Sequence, residues 1–289
     1  MKTLNLSVFL TILSNMDFQI LPNTPIYEAF SDVGRSIFQP NGILHWAGRA
    51  KKESDLSATV GTAMGMESQF IQGGREKFVP FYLPDIKNYI KIEPERFVSY
   101  ASMAGIAPLR NLWKEWIIYK GKVGSNLPSG SIDLSGKLTK PIICNGITNA
   151  IFLMSRYFLN PGEMIVSPEK RWGNYDSILT RQNDVEIQSF KFFKDKSFNL
   201  QGMMDAIDLV AEEQGKVVLI LNFPNNPTGY CPTPKEVEDC VNALVKFCED
   251  TEGDVPLVVF CDDAYEGFVY TDERVKQSIF YELVGKHLE

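Results

Sequence analysis

Two polar stretches, each set directly after an uninterrupted apolar run, carry residues able to do chemistry. Asn222-Phe223-Pro224-Asn225-Asn226-Pro227-Thr228-Gly229-Tyr230 follows Val217 to Leu221, and Cys261-Asp262-Asp263-Ala264-Tyr265-Glu266-Gly267-Phe268 follows Leu257 to Phe260. Short apolar runs rich in β-branched residues that stop at turn chemistry predict buried parallel strands. The Asn225–Gly229 segment must then turn at a strand's carboxyl end, where open α/β sheets bind ligands. An amide and an acid stand at these ends, with a phenol three residues beyond the acid. Such a set suits a flat, nitrogen-containing ring.

The N-N-P-T-G string (Asn225 to Gly229) and the D-x-A-Y-x-G-F string (Asp262 to Phe268) resemble the signature of the class I/II aminotransferases. Alignable features run from about Val60 to the end of the chain. The resemblance implies pyridoxal 5′-phosphate (PLP) as cofactor, an amino acid and a 2-oxo acid as substrates, and a homodimer. It also implies the α/β architecture of PLP-dependent fold type I, a three-layer, mostly parallel sheet, together with part of a small domain. By its match to the second string, Asp262 is the carboxylate beneath the pyridine nitrogen, holding a proton there by a charge-assisted hydrogen bond. A buried acid with a purely structural role is the competing reading. Tyr265 and Asn226 then bond the ring's phenolic oxygen. The family's Schiff-base lysine follows the aspartate by roughly thirty to forty residues, whereas only 27 residues follow Asp262. Lys276 and Lys286 read as solvated residues of a surface helix, with Val275, Ile279 and Leu283 on its apolar side. The chain therefore looks like the front two-thirds of an enzyme and is expected to lack turnover alone. A lysine-less, non-catalytic relative used for binding or regulation remains open, as does a PLP lyase or synthase on the same fold.

Other positions extend the match. Pro141-Ile142-Ile143-Cys144 reads as a strand that stops at Asn145-Gly146, where helical periodicity begins. A strand, a glycine turn and a helix N-terminus make an anion site, because orphan N–H groups and the helix dipole face the turn. The likeness to the family's phosphate loop assigns that task to Gly146, Ile147 and Thr148. Trp172 either stacks on the ring or caps the sheet. The W-x-N pattern resembles the aspartate and aromatic branch and brings Asn174 to the substrate, although that branch has histidine where this chain has Tyr175. Tyr100 is either a half-buried structural tyrosine or, on the resemblance, the residue that crosses the dimer interface to the neighbour's phosphate. Gly61 either faces the substrate with its backbone or lies in an ordinary turn.

The elements that must position these groups follow from patterning. A helix is expected through Ile26, Phe30, Val33 and Ile37, then a loop-like stretch from Met64 to Pro84. A helix from Pro108 to about Tyr119 has Leu109, Leu112, Trp113, Trp116 and Ile117 as its buried stripe, and Gly121 to Lys140 reads as an exposed loop. Met164-Ile165-Val166 is a strand, Glu186 to Phe193 an edge or half-exposed strand, and Leu200 to Gln214 an amphipathic helix. Thr233-Pro234-Lys235-Glu236 reads as a capping box opening a helix to about Glu249. The expected division is residues 1–84, contributing to the small domain and an active-site cover, and residues 85–289, the cofactor-binding large domain.

Composition narrows the class. A chain of 289 residues that is 44% hydrophobic can bury a sizeable core. A net charge of −7 with scattered basic residues argues against nucleic acid. Five cysteines with no C-x-x-C pair read as reduced thiols of a cytoplasmic protein, and two histidines are too few for a histidine-built hydrolase or metal site. The apolar run Leu4 to Leu13 is too short to span a bilayer and has no small-residue cleavage site, so a membrane role is not expected. The first residues read as a packed strand or helix, or as a start-site artefact with Met16 as the true start.

Overall fold

The computed structural model describes residues 43–55, 59, 64–98, 100, 102–124 and 126–287. The expected helix through Ile26 and Ile37, the readings of the first residues, and Gly61 lie outside the described residues. The chain divides into two compact units, Met1–Ala101 and Ser102–Glu289.

In the first unit, helix α1 (Ile43–Glu53) is followed by a short antiparallel pair, β1 (Met64–Met66) and β2 (Phe78–Pro80), with the single turn α2 (Glu67–Phe70) between them. This stretch was expected to be a loop. What organises it is Glu67, which is buried and accepts from the Arg75 backbone N–H at 2.9 Å, from the Arg75 side chain at 2.6 and 2.7 Å, and from the Tyr82 hydroxyl. The Arg75 guanidinium first, then the Tyr82 hydroxyl and the Arg75 N–H, hold the Glu67 carboxyl well below the usual carboxylate range. Two further short helices follow, α3 (Ile86–Tyr89) and α4 (Pro94–Val98).

The second unit opens with α5 (Ala107–Val123) and α6 (Gly146–Phe158). Its sheet holds β3 (Met164–Pro168), β4 (Glu186–Phe190), β7 (Val217–Asn222) and β8 (Leu257–Asp262), all parallel, in the spatial order β4-β3-β7-β8. A two-residue hairpin, β5 (Phe193–Lys194) and β6 (Ser197–Phe198), follows β4, while α7 (Leu200–Gln214), α8 (Pro234–Asp250) and α9 (Phe280–His287) supply the remaining helices of this unit. Alternate residues of the central strands feed two cores. Val217, Leu219 and Leu221 pack with α7, α8 and α9, whereas Val218, Ile220 and Phe260 pack with α6 and the π-helical segment Asp176–Gln182. One sheet between two helical layers is the α/β three-layer arrangement.

Four expectations need correction. Pro141 to Cys144 is not a strand, because no described strand lies beside it. Its N–H and C=O groups go instead to single partners, Ile143 N–H to the Ala104 carbonyl at 3.0 Å and the Pro141 carbonyl to Arg110 Nε at 2.6 Å. The stripe on α5 is not buried: Leu112, Trp113 and Trp116 are exposed, and the two indoles border an open cleft rather than a covering layer. The loop after α5 is not wholly exposed either. Leu127, Ile132 and Leu134 enter the core, and Ile132 lies so close to α9 that a Cβ on Gly285 would meet its Cγ2 at 2.7 Å. The expected helix around Lys276 begins only at Phe280, although Val275 and Ile279 are buried.

Candidate active site at the switch point of the sheet

The strand order places the reversal of chain direction across the sheet between β3 and β7, since β4 lies outward of β3 on one side and β8 outward of β7 on the other. Crevices at the carboxyl ends of strands at such a point are where open α/β sheets bind ligands. Three loops converge there, residues 169–175 after β3, 223–229 after β7 and 263–267 after β8.

Side-chain amides tie the loops together. Asn222 and Asp262 are register partners at the strand tips. The buried Asn222 donates from Nδ2 to the Asp262 carbonyl at 2.8 Å and accepts the Asn226 N–H on Oδ1 at 2.7 Å. Asn225, also buried, accepts from the Thr228 N–H at 3.2 Å and from the Thr228 hydroxyl at 2.7 Å, and donates to the Lys170 carbonyl at 3.2 Å. That last bond spans the gap between the β3 and β7 loops. The loop after β3 is fixed in turn by Arg171, which pairs with Asp176 at 2.6 Å and donates to the Ser189 hydroxyl at 2.9 Å. Local Asn chemistry of this kind favours turns over strand continuation.

Asp262 is buried, with Oδ1 accepting the Ala264 N–H at 3.1 Å and Oδ2 accepting the Tyr175 hydroxyl. Burial first, then the Asp262 charge and the hydrogen bond to it, keep the Tyr175 phenol protonated far above the ordinary tyrosine range. The Tyr175 ring meets Trp172 edge-on, with centroids 5.9 Å apart and planes at 81°. Trp172, Tyr175 and Asp262 thus form one contiguous run across the end of the sheet. Asn226 Nδ2 approaches the Tyr265 hydroxyl at 3.4 Å, and both side chains reach the surface.

Gly146 opens α6 with φ +72°, a conformation other residues rarely adopt. Its N–H bonds the Cys144 carbonyl at 2.9 Å, and the Asn145 side chain makes no cap bond. The α6 N-terminus with Ile147 therefore presents N–H groups and the positive end of the helix dipole. Ile147 and Asp262 both line a cleft of about 780 Å³ running beside β8, whose wall also includes Trp113, Trp116 and Lys120. Thr148, Trp172, Asn226 and Tyr265 do not line it, so the cleft meets the switch point through Ile147, Asp262 and the loop after β8, of which Asp263, Glu266 and Gly267 also line it.

Asn174 is exposed beside Trp172. Tyr100, in the first unit, is fully exposed rather than half-buried. Sequence reading missed Asn222, Asn225 and Tyr175 as members of the site. An asparagine ending an apolar strand was a visible signal for Asn222. Nothing local announces the bond from Tyr175 to a residue 87 positions away.

Comparison with known proteins fits this geometry. The family model for aminotransferase class I and II matches residues 133–288, more than half of the chain. A histidinol-phosphate aminotransferase of Staphylococcus carnosus is 32% identical over 130 residues, 44% of this chain and 32% of that protein. The crystal structure of an aminotransferase from Anaerococcus prevotii superposes with a TM-score of 0.62 at 22% identity, covering 84% of this chain and 56% of the other. A Pyrococcus horikoshii kynurenine aminotransferase gives 0.60 at 16% identity, covering 89% and 56%. At such identities the two structures speak to the fold. The chain spans about a third of the length of that curated relative and about half that of the two solved structures. The matched region, the parallel sheet and the convergence at its switch point lead to one conclusion: this chain belongs to the class I and II aminotransferases, whose cofactor is pyridoxal 5′-phosphate.

Proposed function

We propose that residues 1–289 carry the cofactor-binding part of an aminotransferase that moves an amino group between an amino acid and a 2-oxo acid. The observation that carries this is the run Trp172–Tyr175–Asp262 across the sheet's switch point, beside the Asn226–Tyr265 pair. The donor set suits a phosphorylated pyridine. A buried carboxylate is there for the ring nitrogen, an amide and a phenol for the ring oxygen, an indole for the ring face, and the N-terminus of α6 for the phosphate, where the Gly146 N–H already bonds the Cys144 carbonyl and those of Ile147 and Thr148 would do the holding. When bound, the cofactor supplies an electron sink for the charge left by an amino acid's departing α-proton.

The chain's own groups would do the holding. Asp262 keeps a proton at the ring nitrogen, Tyr265 and Asn226 stabilise negative charge on the ring oxygen, and Trp172 excludes water from one face. Asn174 and Gly61 are assigned to the substrate side, and Tyr100 to a second copy in a homodimer. The full exposure of Tyr100 and the exposed Leu112 and Trp113 of α5 support that assembly. A cytoplasmic setting accords with five free cysteines.

Neither remaining lysine after Asp262 is suited to act as the base. Lys276 is paired with Asp272, and Lys286 lies 3.9 Å from the buried Glu282. Residues 1–289 are therefore expected to bind pyridoxamine 5′-phosphate saturably while showing no transamination. Titration followed by ring absorbance, with an amino-acid/2-oxo-acid turnover assay alongside, tests both halves. No binding removes the site assignment, and measurable turnover removes the inactive-fragment reading.

A further inference from the structure

We propose, on the reading of Asn226 and Tyr265 given above, that Arg274 is a positioning residue that sets the separation of those two side chains, so that amide and phenol meet on one ring oxygen. Asn226 and Tyr265 stand on different loops and approach only to 3.4 Å, a long contact that does little to fix either. Residues 274–276, an irregular segment ahead of α9, join the two loops. The Val275 N–H bonds the Pro232 carbonyl at 2.9 Å, on the chain leaving the Asn226 turn. The Lys276 carbonyl accepts the Gly267 N–H at 3.2 Å, in the loop that carries Tyr265. Two consecutive residues thus staple one loop to the other through the main chain.

Arg274 adds the side-chain half of the staple. It donates from Nη1 to the Cys231 carbonyl at 3.0 Å, comes within 3.5 Å of the Glu236 carboxylate, and places its guanidinium 5.4 Å from the centre of the Tyr230 ring. Each partner leads back to Asn226. The Tyr230 carbonyl accepts the Asn225 N–H at 2.9 Å, closing the turn in which Asn226 sits. The Tyr230 hydroxyl donates to Glu236 and accepts the Phe198 N–H at 3.2 Å, so the ring under the guanidinium is itself held. Asn222 and Asn225 anchor the turn to β7 and to the loop after β3, whereas Arg274 and Val275 anchor it toward the loop after β8. Arginine suits the place, since its planar, permanently charged fork can bond a carbonyl and a carboxylate while its face lies on an aromatic ring. Two groups fixed at the right spacing bind a shared acceptor more tightly, because binding has less motion left to freeze.

The test separates this spacing from general stability with two probes, pyridoxamine 5′-phosphate and its 3-deoxy analogue, in which hydrogen replaces the ring hydroxyl. Arg274→Met keeps an unbranched side chain against Tyr230 and removes the donors. Its affinity for pyridoxamine 5′-phosphate should fall about fivefold while that for the deoxy analogue stays within about twofold. In an Asn226→Ala background the same change should add little. If Arg274→Met fails to fold, Arg274→Lys, which keeps the charge beside Glu236 but loses the fork, should show the same contrast at about threefold. Equal weakening of both probes, or no weakening of either, would mean that Arg274 only braces the surface and would overturn the proposal. An unaltered chain that binds both probes equally, or binds neither, would instead overturn the assignment of Asn226 and Tyr265 to the ring oxygen.

Discussion

Asp262 turns its carboxylate toward Tyr175, on the side of the sheet covered by α6, whereas Asp263 faces Ser278, Glu266 and Lys120 on the other. Alternation of side chains at a strand end separates the two neighbours. Their surroundings differ accordingly. Burial is the main cause that pushes the Asp263 carboxyl up to about 7, with the Glu266 and Asp262 charges adding to it and Ser278 and Lys120 opposing. An acid raised in the folded state binds a proton that the unfolded chain has already released. Stability contributed through this group is therefore present at acidic pH, declines as pH rises from the ordinary 3.8 toward about 7, and is flat above. Asp263→Asn cannot titrate. Relative to the native chain its stability should improve between about pH 5 and about pH 8, by up to about 1.4 kcal/mol per pH unit within the window. Urea unfolding at the two pH values measures this. A pH-independent difference would mean that Lys120 keeps Asp263 charged throughout.

Among the elements, α8 shows how local chemistry sets a boundary. Thr233 Oγ1 accepts the Glu236 N–H at 3.2 Å, and Glu236 Oε2 accepts the Thr233 N–H at 2.8 Å, closing a reciprocal cap. Thr233→Ala should cost about 1 kcal/mol, or about 3 °C in the melting temperature of a unit this size, and Thr233→Ser should not. A larger loss is expected for Glu236→Ala, since Glu236 also accepts from the Phe198 N–H at 3.1 Å and from the Tyr230 hydroxyl. Thermal melts of the three variants give the ranking, and an unchanged Thr233→Ala would count against the cap. This box was legible in the sequence because every participant lies within four residues. So were α7, whose bounds match the apolar periodicity, and the strands β7 and β8, whose apolar runs need no partner to be recognised. Pro141 to Cys144 was misread for the opposite reason: a strand exists only with a neighbour, and sequence pattern does not show whether one is present. The α5 tryptophans were misread likewise, as an apolar stripe marks a face to be covered without saying what covers it. At the site, the motif residues Asp262, Asn226 and Tyr265 were readable from short strings. Asn222 was signalled by its place at the end of an apolar run, whereas Tyr175 became visible only once the strand order had brought three loops together.

For the molecule as a whole, the sheet's two edges are not equivalent. β4 ends the sheet with the polar residues Glu186, Gln188 and Ser189, and polar side chains are usual on an edge strand. β8 carries Leu257-Val258-Val259-Phe260-Cys261, pairs with β7 alone among the described residues, and borders the cleft between α5, α6 and Phe280. An apolar strand with one row of unpaired N–H and C=O groups is a template for further pairing. The cost appears in accessibility: every residue of β7 is buried, while four of the six in β8 are only half-buried. In hydrogen exchange of residues 1–289, amides of β7 should be among the slowest. Those amides of β8 that point away from β7 should exchange far faster, at rates approaching local opening rather than global unfolding. Trp113 and Trp116, which face the same cleft, should be accessible to a neutral fluorescence quencher. Protection of β8 equal to that of β7, together with shielded indoles, would mean that another segment or a second copy occupies this edge in solution. The position of Asp262 at the tip of β8 would then depend on that occupant as well as on Tyr175 and Asn222.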